Sequence, residues 1–428
     1  MGNSDPNGTD PTCSFCGKKR DKDRLVEGPG VAICDGCVDL CGEVVTDRRR
    51  QVAGFRADAL PRPHDIRAFL DTYVVGQDRA KMALSVALYS HYKRVRLNTS
   101  GQRTTDVELT KSNILLLGPT GSGKTLLAQS LARNLDVPFT VADATTLTEA
   151  GYIGEDVDSI LTRLVQAAGN DIRKAETGIV YIDEIDKIAS SSGKAGGSRD
   201  VSGEGVQQAL LKMLEGTVVT LAQNARSATA ASGRGYAGRE PTRIDTSNIL
   251  FVVGGAFAGL EDIVAARVGR NNLGFGGAIR SRADDAEIDY FAQVMPEDLI
   301  AFGMIPEFIG RLPIITSVQK LDQATLVKVL TEPRNALSKQ YRLMFELDDV
   351  ELEFAPGALE AVADQAIRRG TGARGLRAIL EQALITTMYD VPSLTDVTRV
   401  VVTEEVILQG AEPTLVRDPA RDGAAAGR

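Results

Sequence analysis

The stretch Gly118-Pro-Thr-Gly-Ser-Gly-Lys-Thr125 has the residue types and spacing to cradle a triphosphate. Glycines at 118, 121 and 123 let backbone N–H groups close on a β-phosphate, Lys124 can reach the β/γ oxygens, and the Thr125 hydroxyl can ligate magnesium. The flanks fit: Ile114-Leu-Leu-Leu117 reads as a strand leading in, and Leu127, Leu131 and Leu135 repeat at helical spacing after it. Such a site needs an acidic strand end, and Ile179-Val-Tyr-Ile182 running into Asp183-Glu184 supplies one. Asp183 would hold magnesium through water, while Glu184 could orient or deprotonate the water that attacks the γ-phosphate. The chemistry expected is ATP hydrolysis, with Pro119, Thr120, Gly121, Ser122, Gly123, Lys124, Thr125 and Leu126 against the nucleotide.

A second constellation is Cys13-x2-Cys16-x17-Cys34-x2-Cys37, the spacing of a four-thiolate structural zinc site with Zn–S bonds of about 2.3 Å. A segment of roughly 40 residues buries too little apolar surface to fold alone, so metal binding would supply its folding free energy. Cys41, the odd thiol, is expected buried on a helix. Zinc ribbons often grip nucleic acid, and Lys18-Lys-Arg20 would favour that, but Asp21, Asp23, Asp35 and Asp39 dilute any basic face. The only histidines, His64 and His91, lie far from the cysteines in the sequence and suit neither a metal site nor a Ser-His-Asp triad.

These blocks must be positioned by a chain of 428 residues whose 43% hydrophobic and 25% charged content leaves room for two or three cores. All five cysteines fall between Cys13 and Cys41, so they cannot cross-link the bulk of the chain, which argues against a disulfide-framed secreted domain and for a reducing cytoplasm. No apolar run of about 18 residues appears, so no membrane partner is expected. The net charge of −8 argues against nucleic acid as the main partner. The pattern divides the chain into a zinc-binding domain with a flexible N-terminus (1–50), a linker (51–63), a large α/β domain with a parallel sheet buried on both faces (64–318), a small mainly helical domain (319–410) and a disordered tail (411–428). In the small domain, Leu321 to Leu343 and Pro356 to Arg369 read as helices, and Arg399 to Thr403 and Val406 to Leu408 as strands. Two stretches, Ser190 to Gly205 and Ala222 to Thr242, lack periodicity and read as long functional loops. Arg311 and Arg374 stand near domain edges; their residues alone leave each open between a nucleotide-facing role and an ordinary surface or ion-paired arginine.

From residue 12 to about 410 the chain resembles the ClpX family of AAA+ ATPases, unfoldases that feed a partner peptidase. The resemblance rests on Tyr73-Val-Val-Gly-Gln77, the phosphate loop, Gly151-Tyr-Ile-Gly154, the Asp183-Glu184 strand, Arg199 to Gly205, Gly254 to Gly259, Leu273-Gly-Phe275, Arg311 and Gly372-Ala-Arg374, in that order. It implies an α/β fold, an AAA+ P-loop NTPase large domain plus a small helical domain behind a four-cysteine zinc module. It implies a homohexamer in which Val74 and Val75 border the adenine, Arg311 completes a neighbour's site and Arg374 senses nucleotide from the small domain. Tyr152 and Ile153, flanked by glycines, and Arg199 would then face the axial pore. Leu273, Gly274 and Phe275 would dock a ClpP-type peptidase. Without the resemblance, these two loops read as a tight turn with a half-buried Tyr and a glycine-rich loop with one buried Phe. The zinc module would dimerise and receive protein substrates or adaptors. Where the family carries Arg-Lys-His, this chain has Gly233 to Arg239 and keeps only Arg234, so no tag preference is implied. The expected function is ATP-dependent unfolding and translocation, with ATP, magnesium and zinc as cofactors and no peptidase chemistry. The competing readings are a nucleic-acid remodelling ATPase that grips DNA with the zinc module, and a zinc-dependent scaffold with an idle phosphate loop.

Overall fold

A computed structural model describes residues 12–19, 24–41, 60–100, 107, 109–148, 155–190, 201–221, 242–271 and 289–418. The chain separates into two compact units, Met1–Ala59 and Leu60–Arg428.

In the first unit, Leu25–Gly28 and Val31–Cys34 form an antiparallel hairpin, turned by Pro29-Gly30 with Gly30 at φ 77°. Residues 35–41 are helical. The buried interior consists of Leu25, Cys13, Cys34 and Cys37, with Ala32 and Ile33 against them. An apolar cluster this small agrees with the expectation that metal must contribute to folding.

In the second unit, five strands form one parallel sheet in the spatial order Ile314–Ser317, Ile114–Leu117, Leu250–Gly255, Ile179–Asp183 and Phe139–Asp143. The three central strands are apolar almost throughout and buried at every position up to their last residue, because the sheet is covered on both faces. Leu115, Val180, Ile182, Phe251 and Val253 pack with Leu161, Leu164, Leu210 and Phe308. The parallel arrangement puts every strand's carboxyl end on one edge, where Leu117 lies level with Gly255 and Ser317, and Asp143 level with Asp183.

A second core, around Leu326, Tyr341, Val362, Leu376, Leu380 and Val400, joins the helices Gln323–Thr331, Leu337–Glu346, Ala358–Arg368, Ala373–Asp390 and Glu404–Gln409 to a three-stranded sheet. Three readings of this region change. The single helix expected from Leu321 to Leu343 is two: it starts after Asp322, whose carboxylate accepts the Thr325 N–H at 2.8 Å, and it breaks at Pro333, which lacks an N–H and disfavours helix in the residue before it. Val406 to Leu408 lies in the Glu404–Gln409 helix rather than in a strand. Two acids open that helix and Gly410, at φ 71°, closes it. The tail expected to be disordered from residue 411 includes the strand Thr414–Arg417, antiparallel to Val397–Val402. Elsewhere, residues 201–205, read as loop, open the Val201–Glu215 helix. Cys41 is half-buried rather than buried.

Candidate nucleotide site and metal centre

The phosphate loop leaves the sheet at the carboxyl edge, where open α/β folds bind ligands. Gly118, Gly121 and Gly123 adopt φ 140°, 78° and 96°, values that a side chain resists. Space requires glycine as well: a Cβ on Gly121 would lie 2.6 Å from the Thr371 carbonyl oxygen, and one on Gly118 would collide with Val318. Gly121→Ala should therefore cost roughly 1–3 kcal/mol in backbone strain alone. It should also displace the small-core contact, seen as a lower melting temperature and weaker ATP binding in a nucleotide titration.

Gly123 starts the Lys124–Leu135 helix without a side-chain cap, so the helix's first N–H groups remain available to an anion. A cleft of about 300 Å³ opens there, lined by Thr120, Gly121, Gly123, Lys124, Thr125, Leu126, Asp183, Glu184, Asp186, Lys187, Ala256, Ala373 and Arg374. Lys124 is buried, and its ammonium donates to the carbonyls of Gly118 at 2.5 Å and Pro119 at 3.0 Å. Burial pushes this lysine below its ordinary pKa, against the opposing pull of Asp183 and Asp186. A phosphate would add a counter-charge in direct contact with this desolvated ammonium, whose hydrogen bonds here go to neutral carbonyls.

The acidic strand end is held in place from several sides. Asp183 accepts the Thr125 hydroxyl on one oxygen at 3.1 Å, and on the other it accepts the Tyr181 hydroxyl at 3.1 Å and the Glu184 N–H at 3.0 Å. Hard oxygen donors from Thr125 and Asp183 thus sit side by side, the donor set that magnesium prefers. Glu184 takes φ 57°, a left-handed conformation uncommon for a residue with a Cβ, and its half-exposed side chain lines the cleft.

Sequence reasoning missed four residues lining this cleft. Asp186 is buried and accepts the Ala256 N–H at 3.0 Å, tying the acidic turn to the end of the Leu250–Gly255 strand. The Asp183-Glu184-Ile-Asp186 spacing carried a signal for it. Ala256 and Ala373 lay within segments that carry the family resemblance, but nothing in their own chemistry pointed to the cleft, which they reach through tertiary folding; Lys187 carried no signal. The other expected residues divide. Arg374 stands in the cleft at the first turn of its helix, next to Ala373, whose N–H donates to the Gly121 carbonyl at 3.2 Å. Arg311 lies outside this chain's own cleft, exposed and paired with Glu215 at 2.7 Å. Val74, Val75, Pro119 and Ser122 do not line the cleft. Val74 is buried with its carbonyl accepting from Lys81 at 2.6 Å, and the Ser122 hydroxyl donates to the Pro119 carbonyl at 2.7 Å. Tyr152, Ile153, Arg199, Leu273, Gly274 and Phe275 lie outside the described residues.

In the first unit, the sulfurs of Cys13, Cys16, Cys34 and Cys37 lie within 4.8 Å of one another. A tetrahedron with 2.3 Å Zn–S bonds has edges of about 3.8 Å. The Cys16–Cys34 separation of 3.9 Å matches that edge, so the thiols fit zinc. The backbone supports the thiolate form at Cys13, whereas burial and its hydrogen bonds to the other three thiols push Cys37 up. N–H groups of Cys16, Cys34 and Phe15 on the Cys13 sulfur hold its pKa down at about 6, against the opposing effect of burial, and the Cys34 N–H reaches that sulfur at 3.3 Å. Among the described residues, no other group of Cys, His, Asp or Glu side chains could hold a metal ion, and no helix is long and apolar enough to cross a membrane.

Comparison with family models gives three matches. Residues 11–47 match the ClpX C4-type zinc finger, residues 109–315 the AAA domain (Cdc48 subfamily), and residues 321–403 the C-terminal D2-small domain of ClpB protein. The first spans the four clustered cysteines, and the second, which implies an ATPase, spans the phosphate loop and the acidic strand end. In that order along one chain, the three matches fit a ClpX-like AAA+ unfoldase with an N-terminal zinc domain.

Proposed function

We propose that this chain is an ATP-driven protein unfoldase and translocase that works as a homohexameric ring in the cytoplasm and threads unfolded chains into a ClpP-type peptidase. The observation that carries the reading is the convergence of Lys124, Thr125, Asp183, Glu184 and Arg374 on one cleft, in a chain whose zinc module matches the ClpX type. Magnesium, when bound, would offset the phosphate charge, held by Thr125 and, through water, by Asp183. Lys124 and the first N–H groups of its helix grip the phosphates; Pro119, Ser122 and Leu126 shape the loop around them, and Val74 and Val75 border the base. Glu184 orients and deprotonates the attacking water, a role suited to a carboxylate outside the Thr125–Asp183 pair. Arg311 releases Glu215 to reach the γ-phosphate of a neighbouring subunit, and Arg374 reports phosphate occupancy to the small core.

Tyr152 and Ile153, with Arg199 from a second loop, press on the substrate in the pore, and Leu273-Gly-Phe275 seats the peptidase. The zinc module dimerises and delivers substrates and adaptors. Tyr152→Ala separates these roles from the nucleotide chemistry. ATP turnover should stay within about threefold of wild type, because Tyr152 belongs to no part of the phosphate-binding machinery. Unfolding of a stable reporter should fall severely. Normal unfolding by that variant, followed as loss of reporter fluorescence, would refute the pore role.

A further inference from the structure

The turn after Val74 and Val75 contains a buried amide that the phosphate chemistry does not use. Gln77 is 7% exposed and held at φ 60°. Its carboxamide closes on the Gln319 backbone from both sides: Nε2 donates to the Gln319 carbonyl at 2.9 Å, and the Gln319 N–H donates to Oε1 at 2.7 Å. Gln319 follows the last sheet strand, Ile314–Ser317, and precedes the Gln323–Thr331 helix, so this clasp grips the link between the large and small cores. One residue earlier, Val318 donates its N–H to the Leu117 carbonyl at 2.8 Å, and its own carbonyl crowds Gly118. Beyond the link, the small core returns to the phosphate loop through the Ala373 N–H on the Gly121 carbonyl, beside Arg374.

The loop is therefore touched by the link near Gly118 and by the small core at Gly121. A shift of the link would move both contacts together. We infer that Gln77 is a positioning residue for the nucleotide site: by clamping Gln319 it fixes the pivot of the small core and sets the reach of Arg374 into the cleft. The inference rests on the ATP-site reading above. A side chain at 77 that cannot pair leaves the Gln319 N–H and carbonyl to find other partners, and the link loses its fixed point. Lys124, Thr125 and Asp183 keep their own contacts, all formed within the large core.

The test is ATP affinity of the full-length chain, by calorimetric titration, for wild type, Gln77→Leu, Gln77→Glu, Arg374→Ala and the Gln77→Leu/Arg374→Ala double variant. Gln77→Leu, which loses both hydrogen bonds, should weaken ATP binding roughly tenfold. Gln77→Glu, which keeps the acceptor for the Gln319 N–H but sets a buried carboxylate oxygen against the Gln319 carbonyl, should weaken it at least as much. If Gln77 acts through Arg374, adding Gln77→Leu to Arg374→Ala should cost less than about twofold more, since coupled sites are not additive. A merely structural loss would add in full. Additive losses, or an unchanged affinity in Gln77→Leu, overturn the inference; should the leucine variant fail to fold, Gln77→Glu in both backgrounds makes the same comparison. A wild-type chain that binds no ATP overturns the ATP-site reading as well, a result distinct from additive losses in a chain that binds.

Discussion

Glu184→Gln should bind ATP about as tightly as the parent chain and hydrolyse it about 10²- to 10⁴-fold more slowly, the loss expected when a positioned general base is removed. The geometry separates the two effects. The Asp183 carboxylate is occupied by Thr125, Tyr181 and the Glu184 backbone N–H, and none of these bonds uses the Glu184 side chain. An amide at 184 keeps the size of the carboxylate, and the left-handed backbone there depends on the surrounding fold rather than on the charge. Binding should persist while turnover stops. Titration of nucleotide and steady-state phosphate release on the same preparation check this pair of outcomes. Undiminished hydrolysis would remove Glu184 from the chemistry and leave Asp183 or Asp186 to be tested in its place.

Loss of zinc should unfold the first unit and leave ATP turnover intact. The apolar interior around Leu25 is too small to hold a hairpin and a short helix, whereas structural zinc contributes on the order of 10 kcal/mol. Cys34→Ser removes a buried thiol from one vertex of the tetrahedron, so its metal content should fall from stoichiometric to near zero. Cys41→Ser should retain the metal, since Cys41 is not part of the sulfur cluster. Every residue lining the nucleotide cleft belongs to the Leu60–Arg428 unit, so the ATPase rate of the Cys34→Ser chain should match wild type. Metal analysis, proteolysis of the N-terminal segment and phosphate release together read this prediction.

What the sequence made legible follows from locality. The phosphate loop and the Cys13 to Cys37 spacing place their ligating atoms through a few consecutive bonds, so residue order alone specifies them. The three central strands were legible for a related reason, because a strand buried on both faces must be apolar throughout. Where short apolar triplets occur, periodicity cannot distinguish helix from strand, and Val406 to Leu408 went to a helix decided by its flanking acids and Gly410. Pro333 carried a signal for the helix break that the reading of one helix from Leu321 to Leu343 passed over. The strand Thr414–Arg417 did not, because its pairing partner, Val397–Val402, is what orders it. Ala256 and Ala373 reach the cleft from distant segments, and an alanine has no chemistry that would draw notice. Arg311 could be singled out but not placed; its partner in this chain is Glu215, and its proposed target belongs to another copy.

The most direct test of the account is the fate of a folded fluorescent reporter bearing an unstructured tail, incubated with this chain and ATP, with and without an added ClpP-type peptidase. The account predicts loss of fluorescence that requires hydrolysable ATP, degradation to peptides only when the peptidase is present, and neither outcome with the Glu184→Gln chain. A reporter that stays folded and intact while the chain hydrolyses ATP at full rate, with the peptidase present, would contradict it.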